Sequence, residues 1–457
     1  MRDGAVATRA GTDGLRISSP RFSLILGLIV LFGLAVRLVF VTAVTFPRLA
    51  TDAAYFRLTA TNLADGKGYS APFVTHPHEL VPTAAHPPLF PALLSVFDLL
   101  GLHSISGQRI ALAFVTCTSV LVMGLLGRKI AGPVVGIVAA VIVAVDPFWL
   151  QPVGTLMSES VYLIAIPLML LLALRCLEAP TYGRFALLGA VTALTILIRS
   201  EAVDFVVLLG LPLLIFADVS WKKRALLGMA FVAGLILLLG PWVIRNEVQL
   251  GGAVISDQQG LTLAGSYCNN TFDPNDATYG SFSGYCADAL AAYYVKIVKP
   301  PNPRKGWTEL DLDRSLTGIS ETFARQHLGR LPSVVLAREA STWGLGNHSY
   351  QLDLAVAGGR NESYEQVGWV TYWILLPFVL AGAATLAKRS RQVLTVMVIP
   401  ILVVALNVAL TYGSTRFRVA AEPSLAAMAA LGMVAVAARV RRFFPASRPQ
   451  PAGSGGS

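Results

Sequence analysis

Charge is what this sequence has least of. Of its 457 residues only 14% are Asp, Glu, Lys or Arg, where a soluble protein carries about 25%. That deficit excludes an ordinary soluble domain. Mean hydropathy is +0.63, and apolar runs near twenty residues recur, the length needed to cross a hydrocarbon layer of about 30 Å. The chain therefore reads as a multispanning α-helical membrane protein. A basic stripe interleaved with aromatics is also missing, so the formal charge of +10 does not signal nucleic acid. Lys and Arg instead gather in short segments beside the apolar runs, as on the cytoplasmic side of membrane proteins. Internal repeats are lacking too. The two halves carry polar blocks of different size at non-corresponding places, which counts against an inverted-repeat transporter. Cysteine is scarce, with four in all. Cys117 and Cys176 fall in or beside apolar runs. Cys268 and Cys286 lie in a polar block, where a disulfide and two free thiols are both open readings.

What is present is a series of ten apolar runs, near 22–46, 107–127, 131–148, 158–175, 184–199, 202–219, 225–243, 367–387, 392–412 and 419–438. The first is too long for a signal-peptide core and lacks a small-residue cleavage site, so it reads as a retained helix. Alternating the runs across a membrane puts the basic clusters at 128–129, 175–184, 222–224, 388–391 and 439–442 on the side of the N-terminus, the cytoplasmic side. Two polar blocks then face outward. The expected organisation is a cytoplasmic tail (1–21), a bundle (22–244) with a first outer loop (47–106), an extracytoplasmic domain (245–366), further membrane helices (367–438) and a second cytoplasmic tail (439–457), in a plasma (inner) membrane.

The outer loop from Asp52 to Pro91 carries an acid, a Gly-Lys-Gly-Tyr turn, three histidines and a Pro-Pro pair. Helix breakers and ionisable groups do not belong in hydrocarbon, so this stretch lies at the bilayer surface or inside protein. Asp52 opens a helix-favouring run in which Tyr55, Leu58, Thr59, Asn62 and Leu63 share a face. It reads as an N-cap, as a catalytic acid, or as both. Tyr55, Lys67, Tyr69 and His86 of the same loop are candidates for binding substrate. His76, His78 and His86 with Glu79 invite a metal reading, but their spacing matches no closed zinc pattern. Glu159, at the outer start of the fourth run, is a second candidate carboxylate, or an acid favoured by a helix N-terminus. Arg245, Arg416 and Arg418 converge on the outer face, where guanidinium groups suit a lipid-anchored phosphate or lipid headgroups. Arg37, inside the first run, snorkels or meets a buried partner.

Four segments carry a resemblance. Asp52-Ala53-Ala54-Tyr55 continues into Asn62-Leu63-Ala64-Asp65-Gly66-Lys67-Gly68-Tyr69 and then His86-Pro87-Pro88-Leu89-Phe90-Pro91. Ser158-Glu159 opens the fourth run. Pro241-Trp242-Val243-Ile244-Arg245-Asn246 leads through Leu250-Gly251 to Ser256, and Arg416-Phe417-Arg418 precedes Glu422-Pro423. In this order they resemble the bacterial branch of the dolichyl-phosphate-mannose protein mannosyltransferases, glycosyltransferases of GT-C fold that include the lipid A aminoarabinose transferases. The resemblance covers most of 22–265 and 395–435; the stretch 266–365 matches nothing in it.

The resemblance implies an all-α, polytopic, GT-C-like bundle and an enzyme that moves a sugar from a polyprenyl-phosphate donor to an extracytoplasmic lipid, glycan or protein acceptor. By motif position Asp52 is its catalytic base, with Glu159 beside it. Arg245, Arg416 and Arg418 are then candidates for the donor phosphate. The family's protein mannosyltransferases often carry Asp-Glu in the first loop. Ala53 follows Asp52 here, which favours a lipid or glycan acceptor. No organic cofactor is expected, and a divalent cation is an open requirement. The chemistry is coherent: a carboxylate that takes the acceptor's proton contributes roughly 10²–10⁴-fold, and cations favour the phosphate as charge develops on it. The alternatives are a flippase or transporter of lipid-linked sugars, and a ligase using a lipid-diphosphate oligosaccharide.

Overall fold

The computed structural model describes residues 17–46, 49, 51–73, 80–298 and 308–443. Of the metal reading, His76, His78 and Glu79 lie outside the described residues. Helix dominates, and the β contact among these residues is an isolated antiparallel bridge, Ser70 to Pro82, inside the first loop.

Helix α1 (Ser19–Ala43) leads to the loop helices α2 (Thr51–Ala64) and α3 (Leu89–Leu99). Next come α4 (Ile105–Thr116), α5 (Thr118–Ala131), α6 (Pro133–Val145), α7 (Pro147–Gly154), α8 (Glu159–Glu178) and α9 (Tyr182–Ile198). The short pieces α10 (Asp204–Leu208) and α11 (Gly210–Phe216) precede the long α12 (Trp221–Leu250). A block of shorter helices follows: α13 (Gln259–Ser266), α14 (Asn269–Phe272), α15 (Gly284–Val298), α16 (Glu309–Gln326), α17 (Leu331–Thr342) and α18 (His348–Ala357). The chain finishes with α19 (Glu362–Arg389), α20 (Arg391–Leu410) and α21 (Glu422–Phe443).

Among the described residues seven helices are long and apolar enough to cross a membrane, or eight when the bent pair α6–α7 counts as one span. The chain is a multi-pass membrane protein. Ten spans were expected, and the difference has local causes. At 17 residues, α9 is shorter than any of these seven, though it runs the length of α8, from Arg184 beside Arg175 to Arg199 beside Glu159. The run expected at 202–219 is broken at Leu209, because Pro212 has no N–H for the carbonyl of Leu208 and its ring crowds the preceding turn. The 45° bend between α6 and α7 falls at Asp146-Pro147. Asp146 is held extended (φ −66°, ψ 123°), as a residue before proline prefers, and its side chain caps Phe148 N–H at 2.9 Å. In the opposite sense, α12 runs past Pro241 to Leu250 and stops where Gly251 takes the left-handed conformation (φ 74°). Arg245 is therefore a helical residue, and does not follow the helix as expected.

The long helices turn apolar side chains outward: Leu28 and Leu31 on α1, Ile236 and Leu237 on α12 are all exposed, as lipid contact requires. Inside, small residues let backbones touch. A Cβ at Gly189 of α9 would stand 1.9 Å from Phe231 O of α12, and one at Gly234 of α12 would stand 2.0 Å from Ala186 O of α9. Arg37 does not snorkel. It is 1% exposed and donates to Gly33 O at 3.1 Å, Ser119 Oγ at 3.3 Å and Val143 O at 3.4 Å, so its partners are neutral groups of α1, α5 and α6. Cys268 and Cys286 form a disulfide.

Candidate active site

Asp52 stands in the first turn of α2. The buried side of this helix is Ala53, Phe56 and Ala60 with Tyr55 and Thr59, while Leu58 is exposed. The stripe is rotated from the expected face because Phe56 packs edge-on against Phe90 of α3, ring centroids 5.2 Å apart. That rotation turns Asp52 towards the junction between α20 and α21, where the 3-10 turn Thr415–Ala420 carries Arg416.

Arg416 bridges two carboxylates. Its Nη1 donates to Asp52 Oδ2 at 2.9 Å, and its Nε donates to Glu159 Oε1. Glu159 is the first residue of α8 and is fully buried. The turn that delivers it contains Leu156 at φ 54°, a strained backbone for a branched residue. Arg199, just past α9, stands 3.1 Å from the same Glu159 oxygen and is also bonded to Glu201. Charges thus alternate along one line: Asp52, Arg416, Glu159, Arg199, Glu201.

The line sets protonation. Burial pushes Asp52 up, but the charge and the hydrogen bond of Arg416 work against it, and the carboxyl stays below its ordinary value. Burial likewise works against the Arg416 guanidinium, which Glu159 and Asp52 more than offset. His86 is pushed down by burial and by Arg416 and Arg199, only partly countered by Asp52, so its imidazole is neutral near pH 7. Burial raises the Tyr412 hydroxyl to about 12.

His86 packs against Tyr55 and Phe56, ring centroids 4.9 and 4.7 Å away. Its carbonyl accepts from Tyr69 OH at 2.8 Å, and Tyr55 OH meets Thr83 Oγ1 at 2.9 Å. Both tyrosines therefore shape the loop that presents His86. The other expected residues point elsewhere. Arg245 donates to Thr83 O at 2.7 Å and Tyr69 O at 2.6 Å, tying the first loop to α12. Arg418 binds Glu422 Oε1 at 2.5 Å and stacks on Tyr372 at 3.8 Å. Lys67 is exposed and pairs with Asp65 at 2.8 Å. One of three arginines meets Asp52. Arg199, Glu201 and Tyr412 were not singled out from the sequence. The signal for the first two was an Arg-Ser-Glu triplet at the outer end of an apolar run.

The helical block between α12 and α19 holds both site loops. Ser256 Oγ donates to Ala85 O at 2.7 Å and Asp257 N–H to Ala84 O at 3.1 Å, one and two residues before His86. On the other loop, Gly413 N–H donates to Gly280 O at 2.8 Å. Ser414 N–H donates to Thr342 Oγ1 at 3.1 Å, and Thr415 N–H to Gln351 Oε1 at 3.2 Å. A Cβ at Gly413 would stand 2.4 Å from Arg338 O, so glycine is required there. Asp257 is buried, with neither carboxyl oxygen hydrogen-bonded among the described residues. Burial, then Glu309 and Asp313, push it up to about 8. No group of three or more His, Cys, Asp or Glu among the described residues is placed to hold a metal ion.

Comparison with known proteins bears on this geometry. The sequence profile of the dolichyl-phosphate-mannose-protein mannosyltransferases matches residues 85–244, about a third of the chain. Comparison with curated proteins gives no match. Among solved structures, the oligosaccharyltransferase AglB of Archaeoglobus fulgidus, in complex with an inhibitory peptide and a dolichol-phosphate, superposes with a TM-score of 0.53 at 15% identity, covering 94% of this chain and 52% of that one. The same enzyme with zinc and sulfate gives 0.52 at 14%, covering 92% and 50%. ArnT of Cupriavidus metallidurans, bound to undecaprenyl phosphate, gives 0.41 at 14%, covering 95% and 82%. The chain spans about half the length of the oligosaccharyltransferase it matches. The profile covers less than half of the chain, and the likeness to the oligosaccharyltransferase is one of fold.

Proposed function

We propose that the chain is a membrane glycosyltransferase that moves a sugar from a polyprenyl-phosphate donor to a hydroxyl of an extracytoplasmic acceptor, with Asp52 as the general base. The observation that carries this reading is the Asp52–Arg416 pair at 2.9 Å. Of the two carboxylates that Arg416 holds, the Glu159 side chain is 1% exposed and that of Asp52 32%. Asp52 is therefore the one that an incoming hydroxyl can reach.

In the proposed step the acceptor oxygen bonds to the anomeric carbon as the bond from that carbon to the phosphate oxygen breaks. The hydroxyl proton passes to Asp52, and the polyprenyl phosphate leaves with the electron pair. Arg416, whose Nε and Nη1 serve the carboxylates, offers Nη2 to the leaving phosphate, where added charge strengthens the contact. The positive charge between Asp52 and Glu159 is thus supplied by a guanidinium. Neutral His86 fits a role in orienting the sugar or the acceptor.

Sidedness follows from the other end of the bundle. Lys129 pairs with Glu178, and Arg184 caps the carbonyl of Arg175 at 2.8 Å, so this basic cluster lies a full length of α8 away from Glu159, about 30 Å at 1.5 Å per residue. The positive-inside rule supports a reading with that end in the cytoplasm and the site on the outer face of a plasma membrane. The dolichol-phosphate in the AglB complex is the kind of carrier that the donor of this reading would leave behind.

The test is transfer by purified protein in detergent, where no gradient exists. Polyprenyl-phosphate mannose and a polyprenyl-diphosphate oligosaccharide are offered separately, with delipidated envelope extract as acceptor. Labelled product from the monophosphate donor supports the reading. Product from the diphosphate donor alone would favour a ligase, and the absence of product beside uptake in vesicles a transporter.

A further inference from the structure

Arg199 has no place in the chemistry just described, yet it is one of the most committed side chains near the site. It is 10% exposed at the side chain, and its Nη1 stands 3.1 Å from Glu159 Oε1. Its Nε is bonded to Glu201, and its guanidinium carbon lies 5.9 Å from the Tyr162 ring centre. The oxygen it meets on Glu159 is the one that Arg416 Nε also meets. Two guanidinium groups therefore converge on a single buried oxygen, and the far side of one of them holds the base.

We propose that Arg199 is a positioning residue for Asp52: it neutralises and fixes Glu159, Glu159 fixes Arg416, and Arg416 holds the Asp52 carboxylate. The inference rests on the reading of Asp52 as base for its importance, but not for its geometry. Without Arg199, Glu159 would keep Arg416 as its one direct ion-pair partner, with Arg360 acting from farther off, and a buried carboxylate short of a partner is costly. It would then draw Arg416 towards itself. Asp52 would lose part of its cation and be left beside an uncompensated negative charge.

The signs are opposite for the two links. Removing Arg199 weakens the hold on the Asp52 carboxylate and makes it easier to protonate. Removing the Glu159 charge gives Arg416 wholly to Asp52 and makes it harder to protonate. If Arg199 acts through Glu159, its loss has little further effect once Glu159 is neutral.

Carbodiimide labelling reads this without any substrate, since the reagent attacks protonated carboxyls and Asp52 is about a third exposed. Dicyclohexylcarbodiimide is applied at pH 6 to the full chain in detergent, and labelling at Asp52 is followed by peptide mass spectrometry against the exposed Asp65. A one-unit change in affinity for the proton, the low end for an opposite charge nearby, alters the labelling rate about tenfold. Arg199→Gln should raise the Asp52 rate about tenfold, and Glu159→Gln should lower it. The double variant should follow Glu159→Gln, and Arg199→Lys should keep the wild-type rate. An Arg199→Gln rate equal to wild type would overturn the proposal. So would a double variant in which the two single effects multiply. If Arg199→Gln fails to fold, a Glu159→Gln rate that does not fall, or an Arg199→Lys rate that rises, overturns it instead. Failure here leaves Asp52 as base untouched, and an active Asp52→Asn enzyme would remove the base while leaving the chain of contacts.

Discussion

Asp52→Asn separates chemistry from folding with unusual clarity at this site. The substitution keeps shape and leaves an amide oxygen that still accepts from Arg416, but it removes the group proposed to take the acceptor's proton. The loss expected for a general base is about 10²–10⁴-fold in turnover, which corresponds to about 2.7–5.5 kcal/mol of barrier. The stability effect is far smaller. Both partners keep access to water, with side chains 32% and 27% exposed, and an ion pair in that setting is worth about 1 kcal/mol or less. The pH sign agrees. Because Asp52 is held below its ordinary value, its contribution is present in full above the unfolded carboxyl value near 3.9 and is lost only as pH falls through the lower folded value. At pH 7 the variant should therefore unfold within a few degrees of wild type while its transfer rate collapses. The assay pairs initial rates of labelled-sugar transfer from polyprenyl-phosphate mannose with a thermal unfolding curve on the same detergent preparation. A variant that keeps more than a tenth of wild-type turnover refutes Asp52 as base. One that loses activity together with a large drop in unfolding temperature refutes the claim that the pair contributes little to stability.

Two more outcomes are expected. Asp257 is pushed up to about 8 in the folded chain, against about 3.9 unfolded, so folding takes up a proton between these values and stability falls as pH rises through that window. Asp257→Asn should unfold at a higher temperature than wild type at pH 9, with the gain shrinking to nothing near pH 4. Paired melts across that range check it, and a gain that does not depend on pH would contradict it. Gly413→Ala would set a methyl 2.4 Å from Arg338 O. Forced overpacking of this kind costs about 1–3 kcal/mol, and because Arg416 is three residues on, turnover should fall with the unfolding temperature. Wild-type values of both would refute the fit described.

Hydrophobic run length made the long helices legible, and the same rule failed where a proline or a short run intervened. Pro212 divides the segment expected at 202–219, while Pro241 leaves α12 unbroken to Leu250. The presence of a proline alone does not distinguish these outcomes. Asp52, Glu159 and Arg416 stand at the ends of apolar runs, and a shared membrane face was enough to suggest that they meet. Arg245 and Arg418 satisfied the same criterion, but their side chains are taken up by protein groups away from Asp52. Arg245 binds carbonyls more than 160 positions earlier and Arg418 an acid one helical turn on. No local pattern announces carbonyl partners, because every residue has a carbonyl. Arg199 was overlooked for the converse reason: a charged triplet at a helix end looks like interface until Glu159 arrives beside it.

The stretch 266–365 matches nothing in the resemblance, yet the Arg416 arm of the site hangs from it through Gly280, Thr342 and Gln351, while the His86 arm hangs from Ser256 and Asp257 just before it in the same helical block. The mechanical result is a yoke. A change of sequence among its described residues would shift the His86 and Arg416 loops in concert. Exchanging it for a relative's segment would be expected to swap acceptor preference and to reset donor handling in the same stroke.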